Sequence, residues 1–196
     1  MNVAYATLKQ LKSALRLQDS IDDANLQLAL ESAEESINAW CGRTFGTAGT
    51  ATARYYAAGK PDEVELDDLT SITTVEWSKD GQTWTTTTNY QAEPLNRYTD
   101  GLSWPITRIR ATYNFAFPVL NGIQTVRVTG VYAFGSIPSS VTQAAVLQAS
   151  RVFARLSSPL GVAGFAEGVG IMQVRGGLDV DVQQLLMPYR RYRAAL

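Results

Sequence analysis

Histidine is absent from the 196 residues, and cysteine occurs once, as Cys41. Without histidine there is no Ser-His-Asp or Cys-His triad. A single thiol also leaves no intramolecular disulfide and no structural zinc site. No apolar run approaches the roughly 20 residues that span a bilayer. Met1 to Tyr5 lack the basic-then-apolar pattern of a secretion signal, so the expectation is a protein made and kept in a reducing cytoplasm, without a membrane partner. Charged residues are sparse at 18%, but the 45% hydrophobic content is globular and excludes wholesale disorder. The length suits one ordinary domain, or a small domain carrying an elaborate insertion.

The net charge of −1 conceals an uneven distribution. Residues 1–100 hold 15 of the 18 acidic residues and 8 of the 17 basic ones, a balance of −7. Residues 101–196 hold 3 acidic and 9 basic residues, a balance of +6, and all nine of these basic residues are arginine. Arginine presents a planar fork of donors suited to fixed protein contacts, whereas lysine is a mobile, hydrated point charge. The pattern fits either drift in surface composition or a polar molecule whose two poles meet different neighbours.

Periodicity predicts a helical frame interrupted by a β-rich stretch. Thr7 with Gln10 reads as a capping box, followed by Leu8, Leu11 and Leu15 on one face. Ser20 with Asp23 suggests a second cap. The helix after it carries Leu26, Leu30, Ala33, Ile37 and Trp40 on one face and Glu31, Glu34, Glu35 and Asn38 on the other, and Gly42 stops it. Beyond Arg43 the pattern turns to β. Thr73, Val75 and Trp77 alternate, Ser78 to Gly81 form a turn, and Thr83, Thr85 and Thr87 continue past it, so residues 53–132 read as a small, mostly antiparallel sheet. Pro138 opens a third helix in its first turn, with Val141, Ala145, Ala149, Val152 and Leu156 as its stripe. A glycine-rich stretch follows through Gly161, Gly164, Gly168 and Gly170, and then a strand-like piece over Ile171, Gln173 and Arg175. Asp179 caps a last helix ended by Pro188. The predicted class is α+β: a small antiparallel-type bundle of three to four helices with a β-rich insertion between the second and third. The divisions are an N-terminal helical hairpin (1–45), the insertion (46–135), and C-terminal helices with the glycine-rich loop and tail (136–196).

Chemistry-bearing residues are few. The glycine-rich stretch lacks the Gly-Lys-Ser/Thr ending of a P-loop and the spacing of a dinucleotide fold, and reads as a plain loop. Asp67 with Asp68, or Asp179 with Asp181, could hold a hard metal ion for hydrolysis, but turn and cap roles suit them better. Cys41 has no accompanying base and reads as a buried filler. Trp77, Trp84 and Trp104 with the nearby tyrosines lie in an acidic region and read as packing residues, not a base-stacking platform. No catalytic residue, cofactor or metal site is expected. The closing Tyr189, Arg190, Arg191, Tyr192 and Arg193 form either a cationic helix end or an anchoring segment, since Tyr and Arg are enriched at interface hot spots.

Four segments together resemble a known family: YATLKQLKSALRL from Tyr5, DDANLQLALESAEESINAWCGRTF from Asp22, VTGVYAFGSIPSSVTQAAVLQASRVFARLSSPLGVAGF from Val128, and DVDVQQLLMPYRR from Asp179. Their sequence and order are similar to head-to-tail adaptors of long-tailed phages, the connector-type head-completion proteins, and to the actinobacterial-phage versions above all. The resemblance implies a non-enzymatic virion protein, made in the bacterial host. It would form a cyclic homo-oligomer of about twelve copies beneath the portal vertex, extending the DNA channel. The implied partners are the portal protein, the next stopper or tail-completion protein, and passing double-stranded DNA bound without sequence specificity. A stopper or tail-completion ring on the same axis is the alternative. Tyr189, Arg190, Arg191, Tyr192, Arg193 and Leu196 become candidates for portal docking. Arg108, Arg110, Arg127, Arg151 and Arg155, with Glu31, Glu34 and Glu35, become candidates for the ring interface. Most of the nine arginines are expected to face neighbours or the portal, not the lumen.

Overall fold

A computed structural model describes residues 4–46, 49–99, 101–156 and 177–191. The architecture is α+β, with four helices and a large antiparallel sheet. The described residues divide into two compact units. One is built on Phe45–Ser136 and the other on Ala4–Thr44 with Ile137 onward.

In the helical unit, α1 (Leu8–Leu15) opens with the predicted reciprocal cap: the Gln10 amide donates to the Thr7 hydroxyl, and the Thr7 amide donates to the Gln10 side chain. Eight residues are too few for a helix stable on its own. Leu11 is fully buried and anchors it, a contribution of about 1.5–3 kcal/mol. Helix α2 (Asp23–Cys41) begins after Asp22, not after Ser20 as expected, and no side chain caps it. Asp23 instead spends its carboxylate on Lys12 of α1 at 2.6 Å. Leu26, Leu30, Ala33 and Ile37 form the buried stripe of α2, and Gly42 ends it at φ +65°. Helix α3 (Ser139–Leu156) packs on α2 and α1 through Val141, Ala144, Ala145 and Ala149. Pro138 precedes that helix instead of sitting in its first turn, and its carbonyl accepts from the Val141 and Thr142 amides. Asp179 caps α4 (Val180–Leu186), accepting from the Asp181 amide, and Pro188 converts the continuation into a single 3-10 turn over Met187–Tyr189. The glycine-rich stretch and the strand-like piece after it lie outside the described residues.

The sheet unit is larger than the small sheet read from sequence. It contains β1 (Thr52–Tyr56), β2 (Glu63–Trp77), β3 (Thr85–Thr87), β4 (Tyr90–Glu93), β7 (Ile106–Ala111) and β8 (Val126–Tyr132), all antiparallel, in the order β1-β8-β2-β7-β4 with β3 beside β2. A separate two-stranded ribbon joins β5 (Tyr98–Thr99) to β6 (Leu102–Ser103). The 15-residue β2 is the spine: its first half pairs with β7, its last three residues (Val75 to Trp77) with β3, and β8 runs beside it from Leu69 onward. In β8 the burial alternates without a break, Val126, Val128, Gly130 and Tyr132 inward, Arg127, Thr129 and Val131 outward. Val64, Leu66, Ile109, Phe117 and Val75 complete the core, and Phe115 packs edge-on against Phe117 and Trp77. The turn expected at Ser78 to Gly81 is present. Its Asp80 carboxylate accepts from the Gln82 and Thr83 amides and the Ser78 hydroxyl, which holds the acid well below its ordinary range.

Candidate functional site

Strand register decides what the arginines of the second half do. Glu63 and Glu65 of β2 lie opposite Arg110 and Arg108 of β7, and Arg108 lies opposite Glu93 of β4. Arg108 and Arg110 are two residues apart on one strand and so share a face. Arg108 pairs with Glu93 at 2.7 Å and Glu63 at 3.1 Å, and Arg110 pairs with Glu93 at 2.9 Å. Lys60 joins Glu63 at 2.7 Å. The Lys60 hydrogen bond is the main reason the Glu63 carboxyl titrates below its usual range. One strand over, Arg127 makes a two-point contact with Glu76 at 2.5 and 2.6 Å, and its guanidinium lies 4.9 Å from the Trp84 ring centre. That bidentate bond holds the Glu76 carboxyl low. Tyr55 packs edge-on against Trp84 at 5.5 Å, so the cluster joins β1, β8, β2 and the loop before β3.

In the helical unit, Arg151 of α3 reaches Asp179, and Asp181 at 3.5 Å, tying α3 to the start of α4. Arg155 is half-buried on the same helix. Four of the five arginine candidates for a ring interface are therefore engaged with carboxylates of their own chain, three of them with acidic residues of the N-terminal half. Glu31, Glu34 and Glu35 meet none of them among the described residues. Glu34 accepts from the Tyr5 amide at 2.6 Å, and partial burial raises its pKa despite that bond. Glu31 takes a hydrogen bond from Gln27 at 3.1 Å, and Glu35 is exposed.

The docking candidates divide. Tyr189 is buried, and its hydroxyl accepts from Ser140 at 3.1 Å, so this residue is a core anchor of the helical unit. Arg190 is exposed, with its guanidinium 4.9 Å from the Trp40 ring centre. The Arg191 amide donates to the Cys41 carbonyl at 2.8 Å and satisfies one of the free acceptors at the end of α2. Tyr192, Arg193 and Leu196 lie outside the described residues. Sequence reasoning had no signal for the inward turn of Tyr189 beyond Pro188, which sets the 3-10 geometry that produces it.

The chemical candidates have structural occupations. Cys41 is fully buried, and desolvation pushes its thiol up to about 11, far from a nucleophile's range. Asp67 bonds Arg54 at 2.7 Å, Asp68 is buried in β2, and Asp179 and Asp181 face Arg151. Among the described residues no three His, Cys, Asp or Glu side chains are grouped to hold a metal ion, and no helix is long and apolar enough to cross a membrane. What the chain offers is surface: salt-bridged sheet faces and the outer sides of α1 and α2.

Residues 5–99 match the family model of phage gp6-like head-tail connector proteins. Over those residues, just under half of the chain, the sequence is similar to gp6-like head-tail connectors. Three solved structures share the fold of this chain. They are the neck of an empty gene transfer agent particle computed with C6 symmetry (TM-score 0.58, 95% of that chain), the virion of a native gene transfer agent particle (0.56, 94%) and the neck of a native particle computed with C12 symmetry (0.53, 96%). Each is 18% identical and covers 100% of this chain. No curated protein matches.

Proposed function

We propose that this chain is a non-enzymatic subunit of a closed ring, about twelve copies in cyclic symmetry, seated on the portal protein beneath the capsid vertex. The ring extends the DNA channel and presents the attachment surface for the next connector or tail protein. The helical unit acts as a small bundle, and its C-terminal segment from Arg190 onward docks on the portal. The family match over residues 5–99 carries this reading. The end-to-end fold likeness to chains from particle necks, computed with C6 and C12 symmetry, supports it.

The charge arrangement fits the same role. A channel must let DNA slide, and every phosphate neutralised by a free cation adds a counterion-release term with a salt slope of about −0.9. Arg108, Arg110, Arg127 and Arg151 are each compensated by a carboxylate of the same chain, which lowers the cationic field they present to passing DNA. Electron microscopy of the chain co-expressed with its portal protein tests the proposal. The expected result is a ring coaxial with the portal. A chain that stays monomeric and leaves the portal bare overturns it, and a ring that binds only a downstream neck protein shifts the assignment to a stopper or tail-completion ring.

A further inference from the structure

A closed ring needs two different surfaces on one subunit, because each copy meets its neighbour head to tail. Two outward surfaces of the helical unit have the required complementarity. The first is the side of α2 opposite its buried stripe, where Ala24, Leu28, Glu31, Glu35 and Ala39 recur at helical spacing and are all exposed. Leu28 is 59% exposed, and Ile21, just before the helix, is 85% exposed. Singly exposed apolar side chains are ordinary on a surface, but here they sit among carboxylates on one helix face, which gives a partner both apolar area and charge to meet. The carboxylates beside them have no cation: among the described residues, Glu31 and Glu35 form no ion pair.

The second surface is a shallow groove of about 420 Å³ on the outer side of α1, lined by Leu8, Lys9, Lys12, Ser13 and Leu17. It is too open to enclose a small molecule but roomy enough to take side chains from a partner. Leu8 and Leu17 give it an apolar floor. Lys9 and the neighbouring Arg16 are exposed and form no ion pair among the described residues. Of the carboxylates nearest in sequence, Asp23 holds Lys12 and Asp19 accepts from the Ile21 amide, while Asp22 caps no amide with its side chain and pairs with neither Lys9 nor Arg16 among the described residues. Glu35 lies twelve residues past Asp23, about 18 Å along the α2 axis, so the acidic surface is distinct from the basic one.

We infer that the outer stripe of α2 docks against the α1 groove of a second copy of this chain, with Leu28 over Leu8 and Leu17 and with Glu31 and Glu35 facing Lys9 and Arg16. The contact rests on the ring reading above and supplies its missing head-to-tail interface. The charges set register and partner choice, and the leucines supply the buried apolar area.

A charge-swap series in the full chain, assembled with co-expressed portal protein and read by native mass spectrometry, tests it. Circular dichroism checks that each variant is folded. E31K/E35K and K9E/R16E should each lower the ring population about tenfold or more, because like charges then meet across every interface. The quadruple variant carrying all four changes restores opposite signs and should recover rings. Rings that persist in E31K/E35K, or a quadruple variant no better than the doubles, overturn the inference while leaving the ring itself standing. A wild-type chain that forms no ring at all overturns the ring reading, and this contact with it.

Discussion

Gly130, in the middle of β8, gives the sharpest test of the sheet. A methyl group built there would sit 2.3 Å from the Ser71 carbonyl oxygen, 2.7 Å from Leu69 Cδ2 and 3.3 Å from Ile72 Cα. The leucine methyl can rotate away, but the carbonyl belongs to the backbone of β2, next to the register shift between Leu69 and Ser71. Bringing the oxygen out to 3.0 Å needs a displacement of about 0.7 Å in backbone that is held against β8 by the pairing of Ser71 with Val131. Overpacking of this kind costs about 1–3 kcal/mol, and immobile backbone puts Gly130→Ala at the upper end. Lost unfolded-state entropy returns about 0.4–1 kcal/mol. The net destabilisation is about 2 kcal/mol, which lowers the melting temperature of a unit this size by about 8–16 °C.

The assay is thermal unfolding followed by tryptophan fluorescence, since three of the four tryptophans (Trp77, Trp84 and Trp104) belong to the sheet unit, with Trp40→Phe as the background that removes the helical unit's signal. Gly59→Ala is the matched control. Nothing lies within 4 Å of its added methyl, and its backbone is not in the left-handed region, so only the entropy gain remains and the variant should melt slightly above wild type. Equal melting temperatures for Gly130→Ala and Gly59→Ala would refute the close approach of β8 to β2.

Three further outcomes follow from the same contacts. Glu63, Glu76 and Asp80 titrate low in the folded state, so their stabilisation is complete above their unfolded pKa values and falls away as pH drops; Glu76→Gln should flatten the acid limb of the stability–pH curve, and an unchanged limb would contradict the Arg127 pairing. Tyr189→Ala should destabilise the helical unit by about 3–5 kcal/mol and Tyr189→Phe by about 1 kcal/mol in chemical denaturation, whereas a pure docking residue would leave both curves on the wild type. Raising salt from about 0.1 to 1 M shortens the screening length from about 10 to 3 Å, so ring populations should fall by native mass spectrometry while melting temperatures stay nearly constant.

The helices were legible because their signals are local. Thr7 with Gln10, the stripe Leu26-Leu30-Ala33-Ile37, Gly42 and Asp179 each act within one or two turns, and each appears where the pattern put it. The start of α2 was misplaced because Asp23 is claimed by Lys12, a contact between helices that no local window contains. The length of β2 was hidden for a related reason. Register shifts between Glu65 and Leu69, between Leu69 and Ser71, and between Ile72 and Thr74 break the two-residue alternation, so only the regular end at Thr73 to Trp77 read as strand. The Glu63–Arg108 and Glu76–Arg127 pairs join residues 45 and 51 positions apart, and only sheet register reveals them.

The charge imbalance along the chain therefore has a different meaning in three dimensions. Read as sequence, an acidic first half and an arginine-rich second half look like two poles available to outside partners. Antiparallel pairing folds one half onto the other: β2 and β4 carry the carboxylates, β7 and β8 carry the guanidinium groups, and the strands lie side by side. Arginines held at 2.5 to 2.9 Å by their own chain's carboxylates are poor candidates for strong new ionic contacts, because a neighbour would have to displace a partner already in place. Polarity available for assembly must come from charges left without such partners. Among the described residues these include Glu31 and Glu35 on α2, beside the exposed Leu28, and Lys9 and Arg16 at α1, beside the half-buried Leu8 and Leu17, all in the helical unit. On the ring reading proposed above, this favours the helices for the selective part of a head-to-tail contact, since the arginines of β7 and β8 are already paired within the sheet.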